Sequence, residues 1–342
     1  MAEPAAGGPG VSVLLPVRDA QDTLPECLDS LRAQTLGDHE VVAVDDGSRD
    51  ASLEILHACA RRDRRLRVVP APRRGLVAAL NAGLGLVRAP LIARMDADDV
   101  ACPRRLELQA ERLAAEPGLT ALGSRVSVLS PAGYANAGMR AYVAWQNGLL
   151  DEAAIVRDLW VESPLVHPSV MLRSGALRAL GGYRACGGPE DYDLWLRGHA
   201  AGWRFAKRVE SLLAWRDTPG RLTRSDARYA PESFRAVKIE ALARGPLAGG
   251  REVVLWGAGR IGKAWSRALR AAGHRVAAFV EVNPRRIGLR LHGAPVVDVA
   301  QAASFRGPLH LAAVGQPGAR ERIRAAARDL GLAEGRELIA VA

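Results

Sequence analysis

Apolar and polar positions recur with two different periods along the first half of the chain, and the switches between them lay out its elements. Val11–Val17 is a near-continuous apolar run, Val-Ser-Val-Leu-Leu-Pro-Val, which predicts a buried strand. Leu24, Leu28 and Leu31 then recur at helical spacing. Thr23, followed three residues later by Glu26, predicts a capping box at the start of that helix. Residues 41–44 predict a second strand ending in Asp45-Asp46-Gly47-Ser48, and Leu53, Leu56 and Ala60 mark the next helix. Residues 67–69, 75–87 and 91–95 read as strand, helix and strand, and Pro103 opens a helix with Leu106, Leu108 and Leu113 on its apolar positions. This alternation predicts an α/β fold, a mixed but mostly parallel sheet with helices on both faces. Ligands of such sheets collect at the carboxyl ends of the strands.

The pattern then changes. Around 130–163 the alternation is lost, and Gly133, Gly138 and Gly148 mix with Tyr134, Tyr142, Trp145 and Trp160. That mixture predicts an irregular excursion over the sheet, whose aromatic rings either plug the gap beneath it or offer faces to a ligand. Residues 165–172 resume strand character, Gly181-Gly182 marks a turn, and Pro189-Glu190-Asp191 opens a helix through Leu194, Trp195 and Leu196. Residues 216–250, with Pro219-Gly220, a basic run at 221–224 and Gly245-Pro246, read as a junction containing a connecting helix at 231–242. Beyond it, residues 251–342 form a second, smaller α/β unit. Its first strand runs into Gly257-Ala258-Gly259-Arg260-Ile261-Gly262, and Glu281 follows the next strand. Gly257, Gly259, Gly262 and Glu281 together match the fingerprint that places a dinucleotide such as NAD(P) on a helix start. Only about 90 residues are available, half of a full double-wound dinucleotide fold. No hydride-transfer constellation with an evident catalytic Lys, Tyr or His follows the glycine loop, which argues against an oxidoreductase.

Composition narrows the class. The 342 residues are 49% hydrophobic and 25% charged, as in an ordinary soluble globular protein. No apolar run approaches the ~20 residues of a membrane span. Residues 1–10 lack the basic and apolar regions of a signal peptide and read as a disordered lead-in. Cys27, Cys59, Cys102 and Cys186 are widely spaced, which suits reduced thiols in a cytoplasmic protein. The formal charge is +10, and residues 251–342 hold fifteen Lys and Arg against seven Asp and Glu, or +8 of it. That excess suits nucleotide phosphates, an anionic membrane surface or plain solvation. Aromatic residues are too sparse there for base stacking, so nucleic acid is not an expected partner.

The chemistry gathers at residues 91–99, Leu-Ile-Ala-Arg-Met-Asp-Ala-Asp-Asp. Asp96, Asp98 and Asp99 crowd the end of a strand, where like charges repel unless a cation joins them. An acidic turn capping the next helix is the other reading. Asp45-Asp46 ends a neighbouring strand, and two acidic strand ends on one rim favour the cation.

Five segments, in order over residues 11–215, resemble family 2 glycosyltransferases of the GT-A fold. They are Val-Ser-Val-Leu-Leu-Pro-Val at Val11, Val-Asp-Asp-Gly-Ser at Val44, Arg-Met-Asp-Ala-Asp-Asp at Arg94, His-Pro-Ser-Val-Met at His167 and Gly-Pro-Glu-Asp-Tyr-Asp-Leu-Trp at Gly188. The resemblance implies an inverting transfer from a UDP-sugar to a hydroxyl of a saccharide or glycoconjugate acceptor. Asp98 would ligate Mn²⁺ or Mg²⁺, Asp96 would serve the ribose or the metal through water, and His167 would lie near metal and diphosphate or be structural. Asp46 would accept the uracil N–H beside Pro16, with Asp45 serving the turn. Arg73 and Arg74 would pair with phosphate or stay solvated. Asp191, in its Glu190-Asp191 pair, would be the general base, kept ionised by the helix start. Trp195 would line the acceptor site or belong to the core. The Gln-x-x-Arg-Trp motif of processive synthases is absent, which suits transfer of a single sugar. The tail resembles Rossmann-like domains appended to proteins such as the β-1,3-N-acetylglucosaminyltransferase-like group. A peripheral contact with the cytoplasmic face of a membrane fits its charge. A catalytically silent nucleotide-sugar-binding module with a dinucleotide-sensing tail is the alternative.

Overall fold

The computed structural model describes residues 8–130, 137–218 and 222–342. Gly133 and Tyr134, Pro219, Gly220 and Arg221, and residues 1–7 of the expected lead-in lie outside the described residues. The chain divides into two compact units. The first comprises Met1–Ile155, Pro164–Ala185 and Ala201–Ser225; the second comprises Val156–Ser163, Cys186–Ala200 and Asp226–Ala342.

The first unit is built on an eight-stranded sheet. Its strands are β1 (Val11–Val17), β2 (His39–Asp46), β3 (Leu66–Ala71), β4 (Leu91–Arg94), β5 (Val100–Ala101), β6 (Ala121–Leu129), β7 (Met171–Arg173) and β8 (Phe205–Arg216). They lie in the order β3-β2-β1-β4-β7-β6-β8-β5. The first four are parallel, β7 runs against both β4 and β6, β8 is parallel to β6, and β5 runs against β8. Every residue of β1 and β2 is buried. That burial is why both read as apolar runs and not as alternating strands.

Three expectations are corrected here. Residues 165–172 do not form one strand, because His167–Ser169 is a short 3₁₀ turn that delivers the chain to β7. Pro168, which has no N–H to give a ladder, occupies that turn. Where an irregular excursion was expected, the described residues form the helices Ala137–Gly148 and Glu152–Asp158. The aromatics of the first are half-buried and lie against one another, with ring centroids 5.8 Å apart for Tyr142 and Trp145 and 6.4 Å for Tyr142 and Trp215. The capping box at Thr23 is also absent, since its side chain makes no cap hydrogen bond.

The second unit carries a six-stranded sheet made of β9 (Val253–Trp256), β10 (Val276–Val280), β11 (Arg290–Leu291), β12 (Ala294–Val297), β13 (Leu309–Ala312) and β14 (Leu338–Ala340). The order is β11-β12-β10-β9-β13-β14, parallel throughout except for β11. Helix Arg260–Ala271 leaves β9 through the glycine loop. A Cβ on Gly262 would lie 1.8 Å from the Gly257 carbonyl oxygen, so only glycine lets the helix approach its strand this closely. The expected connecting helix is present as Pro231–Arg244. Its buried Lys238 donates to the Val161 and Val341 carbonyls at 2.7 and 3.0 Å. Burial pushes that amine down to about 8, against the opposing pull of Glu162.

Candidate active site

The carboxyl ends of β1, β2 and β4 form one rim of the first sheet. Pairing between β1 and β4 closes at Leu14 and Arg94, with the Met95 N–H on the Leu14 carbonyl at 3.1 Å. The ladder therefore ends before Pro16 has to donate, and a proline is tolerated within a central strand. The chain leaves β4 through Asp96, Asp98 and Asp99, whose carboxylate oxygens lie within 4.8 Å of one another. Their shared field is felt at the buried Cys27 thiol. Burial first, then Asp99, Asp98 and Asp96, push it well above its ordinary value.

Like charges do not hold such a loop together; other residues do. Arg216, at the end of β8, donates from Nε to the Asp98 carbonyl at 2.6 Å and from its backbone N–H to Asp99 Oδ1 at 2.8 Å. Glu26 accepts from the same guanidinium, and Thr23 Oγ1 donates to the Ala97 carbonyl at 3.1 Å. The two residues expected to cap a helix thus brace the acidic loop instead. Arg94, 2% exposed, pairs with Asp96. Arg105 is fully buried and donates to the Arg94 carbonyl at 2.7 Å. Burial lowers its guanidinium to about 10 while Asp99 opposes, so it stays charged at neutral pH. Sequence reasoning quoted Arg94 only as the head of its motif and missed Arg105 and Arg216. Arg105 left a trace, as a charge beside Leu106 at a position that a core-facing helix buries.

Asp45 and Asp46 are both buried at the end of β2 and have different surroundings. Asp46 accepts the N–H groups of Arg74 at 2.7 Å and Gly75 at 3.0 Å. Its carboxylate therefore pins the loop that carries Arg73 and Arg74, whose side chains are exposed. Gly47 turns beneath that loop with φ +66°, where a Cβ would lie 3.0 Å from the Arg73 nitrogen. Asp45 Oδ2 accepts the Ser48 N–H at 3.2 Å, whereas Oδ1 is buried with no hydrogen-bond partner among the described residues.

His167 is buried, and its Nε2 lies 3.1 Å from the Tyr183 hydroxyl. Asn81 fixes that tyrosine, accepting from its N–H at 3.0 Å and donating to its carbonyl at 2.8 Å. The cluster of potential metal ligands among the described residues contains the three aspartates and not His167.

In the second unit, helix Glu190–Ala200 opens on the expected carboxylate pair. Glu190 is buried and accepts from the Tyr229 hydroxyl at 3.2 Å. Asp191 is partly exposed, takes the Tyr192 N–H on Oδ1 at 2.7 Å and has the Ser163 hydroxyl 3.4 Å from Oδ2. Of the two readings of Trp195, acceptor lining or core, its 0% exposure fits the core. Glu281 is likewise occupied, accepting the N–H groups of Ala258 at 3.2 Å, Val282 at 2.9 Å and Asn283 at 3.2 Å, with Arg286 at 3.1 Å. A ribose would have to displace these partners.

Residues 12–181 match the sequence profile of Glycosyl transferase family 2. The putative glycosyltransferase EpsE of Bacillus subtilis is 30% identical over 228 residues, covering 65% of this chain and 78% of that protein. The chain belongs to this family. Within it, the amylovoran biosynthesis glycosyltransferase AmsE of Erwinia amylovora is 30% identical over 53% of this chain and 65% of its own length. The chain spans about a quarter of EpsJ, another B. subtilis relative, which it matches at 41% identity. In fold it is similar to S. aureus TarS 1-349 in complex with UDP-GlcNAc, with TM-score 0.54 and 18% identity over 76% of this chain and 71% of that one. It is also similar to the Pyrobaculum calidifontis mannosyltransferase PcManGT in complex with GDP-Man and Mn²⁺, with TM-score 0.52 and 18% identity over 94% of this chain and 81% of that one. The mixed, mostly parallel first sheet is thus that of a GT-A glycosyltransferase. Among the described residues no helix is long and apolar enough to cross a membrane.

Proposed function

We propose that the chain is an inverting, divalent-metal-dependent glycosyltransferase that moves one sugar from a UDP-sugar to a hydroxyl of a saccharide or glycoconjugate acceptor, in polysaccharide or glycoconjugate assembly. The observation that carries this reading is the trio of carboxylates at the end of β4. Three clustered oxygen donors suit a hard cation, Mn²⁺ or Mg²⁺, and do not suit zinc. Asp98 and Asp96 would hold it, Asp99 being turned to the Arg216 N–H. Such an ion supplies positive charge to a diphosphate as its glycosidic bond breaks. The Mn²⁺ in PcManGT and the UDP-GlcNAc in TarS support the class of cofactor and donor. The name of AmsE, an amylovoran biosynthesis glycosyltransferase, supports the setting.

Asp45 is the better candidate for the base contact, because the buried carboxylate oxygen that still lacks a donor is its Oδ1 and not an oxygen of Asp46. Asp46 acts on the donor indirectly, by holding the Arg73-Arg74 loop. Asp191 is the general base. It removes the proton of the attacking hydroxyl while the new bond from oxygen to the anomeric carbon forms and the diphosphate leaves with its bonding electrons from the opposite side. That geometry inverts the anomeric centre. In this reading the transferase chemistry belongs to residues 11–215, and 251–342, joined through 216–250, is a Rossmann-like appendage. With Glu281 already bonded, NAD(P) is not proposed there.

The test is a panel of UDP-sugars with Mn²⁺, read by UDP release with and without acceptor saccharides. Asp191→Asn is expected to lower kcat by about 10²–10⁴, the usual range for a general base. Asp98→Asn is expected to abolish the Mn²⁺ dependence, with circular dichroism unchanged in both variants. Undiminished turnover by Asp191→Asn sinks the assignment of the base.

A further inference from the structure

The basic excess of the second unit is not spread evenly. From Gly257 to Gly293 there are eight Arg and Lys and a single acid, Glu281. Arg260, Lys263, Arg267 and Arg270 follow one another at spacings of three, four and three along helix Arg260–Ala271, so they share one face. All are exposed, while the opposite face buries Gly262, Trp265 and Leu269. None of the four has an ion-pair partner among the described residues. Beside this face lies the 282–293 segment, which adds Arg285 and Arg290. It also carries two of the most exposed large apolar side chains, Val282 at 79% and Leu289 at 57%. The helix and the segment are joined by the Ser266 hydroxyl to His292 contact at 3.0 Å and by Arg270 on the His292 carbonyl. Between them opens a cavity of about 400 Å³ lined by Arg267, Arg270, His292 and Gly293.

We propose that this face docks the second unit on an anionic membrane surface, with the arginines and lysine over acidic headgroups and Val282 and Leu289 entering the boundary with the acyl chains. The extent of the face supports a surface and not a single small anion. Ten residues of helix separate Arg260 from Arg270, roughly 15 Å at the usual rise, more than one phosphate spans. Aliphatic tips among basic residues are the composition of interfacial segments. A nucleic-acid face would instead need ring faces for the bases or a groove in which the cations converge. The proposal does not depend on the catalytic reading.

Flotation of the full chain with vesicles tests it. Binding is expected to phosphatidylcholine vesicles containing ~30 mol % phosphatidylglycerol and not to phosphatidylcholine alone, and it should fall steeply between about 50 and 300 mM salt. Each basic residue at such a surface contributes about fivefold, so Arg260→Gln/Lys263→Gln/Arg267→Gln should weaken partitioning by about 100-fold. A variant of equal net charge, Arg322→Gln/Arg328→Gln/Arg336→Gln, should change it by less than about tenfold, because those residues border the other end of the sheet near β14. Val282→Ser/Leu289→Ser should remove the binding that persists at high salt. Thermal melts identical to the parent confirm folding, since every altered side chain is already exposed to water. Equal losses from the two charge variants, equal binding to neutral vesicles, or preferential binding to a duplex or single-stranded oligonucleotide at ~150 mM salt would each overturn the proposal.

Discussion

The neighbouring carboxylates Asp45 and Asp46 separate stability from binding. The buried Asp46 carboxylate accepts two N–H groups of the 74–75 loop, so Asp46→Ala should cost about 1–3 kcal/mol of stability by removing both hydrogen bonds. Asp45 leaves one oxygen buried and unmatched, so Asp45→Asn should melt at or above the parent temperature. If that oxygen receives the donor's base, the same variant should weaken UDP binding by about tenfold or more, the equivalent of a lost charged hydrogen bond. Calorimetric titration with UDP and Mn²⁺ checks this, and parental affinity in Asp45→Asn would return the base contact to Asp46. The sequence shows both residues as an acidic strand end. It does not show which is already satisfied, because the satisfying N–H groups come from almost thirty residues downstream. Thr23 and Glu26 make the same point. Their spacing is that of a capping box, yet tertiary partners, the Ala97 carbonyl and Arg216, outcompete the local backbone.

Among elements, β1 and the 41–44 stretch of β2 were legible because burial on both faces writes them as unbroken apolar runs. β6 and β8 were not. Ala121–Leu129 and Phe205–Arg216 mix polar and apolar residues, and their pairing shifts register around Arg125. At the amino ends of β1 to β4, opposite the acidic rim, a single carboxylate links several elements. Glu40 accepts from Ser12 at 2.6 Å on β1, Arg67 at 3.1 Å on β3 and Arg88 at 2.9 Å just before β4. Burial pushes this carboxyl up, but the hydrogen bonds from Ser12, Arg88 and Arg67 outweigh it and hold it at about 2. A folded pKa below the unfolded value means that stability is present above about pH 4.5 and is lost as pH falls toward 2, because the unfolded chain takes up the proton first. The displacement corresponds to about 3 kcal/mol. Denaturation midpoints should therefore show Glu40→Gln well below the parent at pH 7 and nearly level with it near pH 2. A gap that stays constant across that window would remove Glu40 from the acid transition.

For the whole molecule, the cation site proposed at the acidic loop would set activity against stability. Three carboxylates within 4.8 Å repel one another. At an effective dielectric constant near 20 each pair costs on the order of 3 kcal/mol, before the Arg94 and Arg216 charges offset part of it. A protein selected for stability alone would not keep this arrangement; one that must seat a cation would. Without metal, Asp98→Asn should therefore melt higher than the parent, because one repelling charge is gone. With Mn²⁺ and UDP the order should reverse. The parent gains RT ln(1 + [L]/Kd), about 2.7 kcal/mol at a hundredfold excess over Kd, and the variant gains far less. Mn²⁺ and UDP together should also stabilise by more than the sum of their separate effects, since each brings charge the other needs. Melting curves with EDTA, Mn²⁺, UDP and the pair, on parent and variant, decide it. A variant that keeps the full Mn²⁺-dependent shift would show that the cation sits elsewhere, and the crowding of Asp96, Asp98 and Asp99 would then be an acidic turn and nothing more.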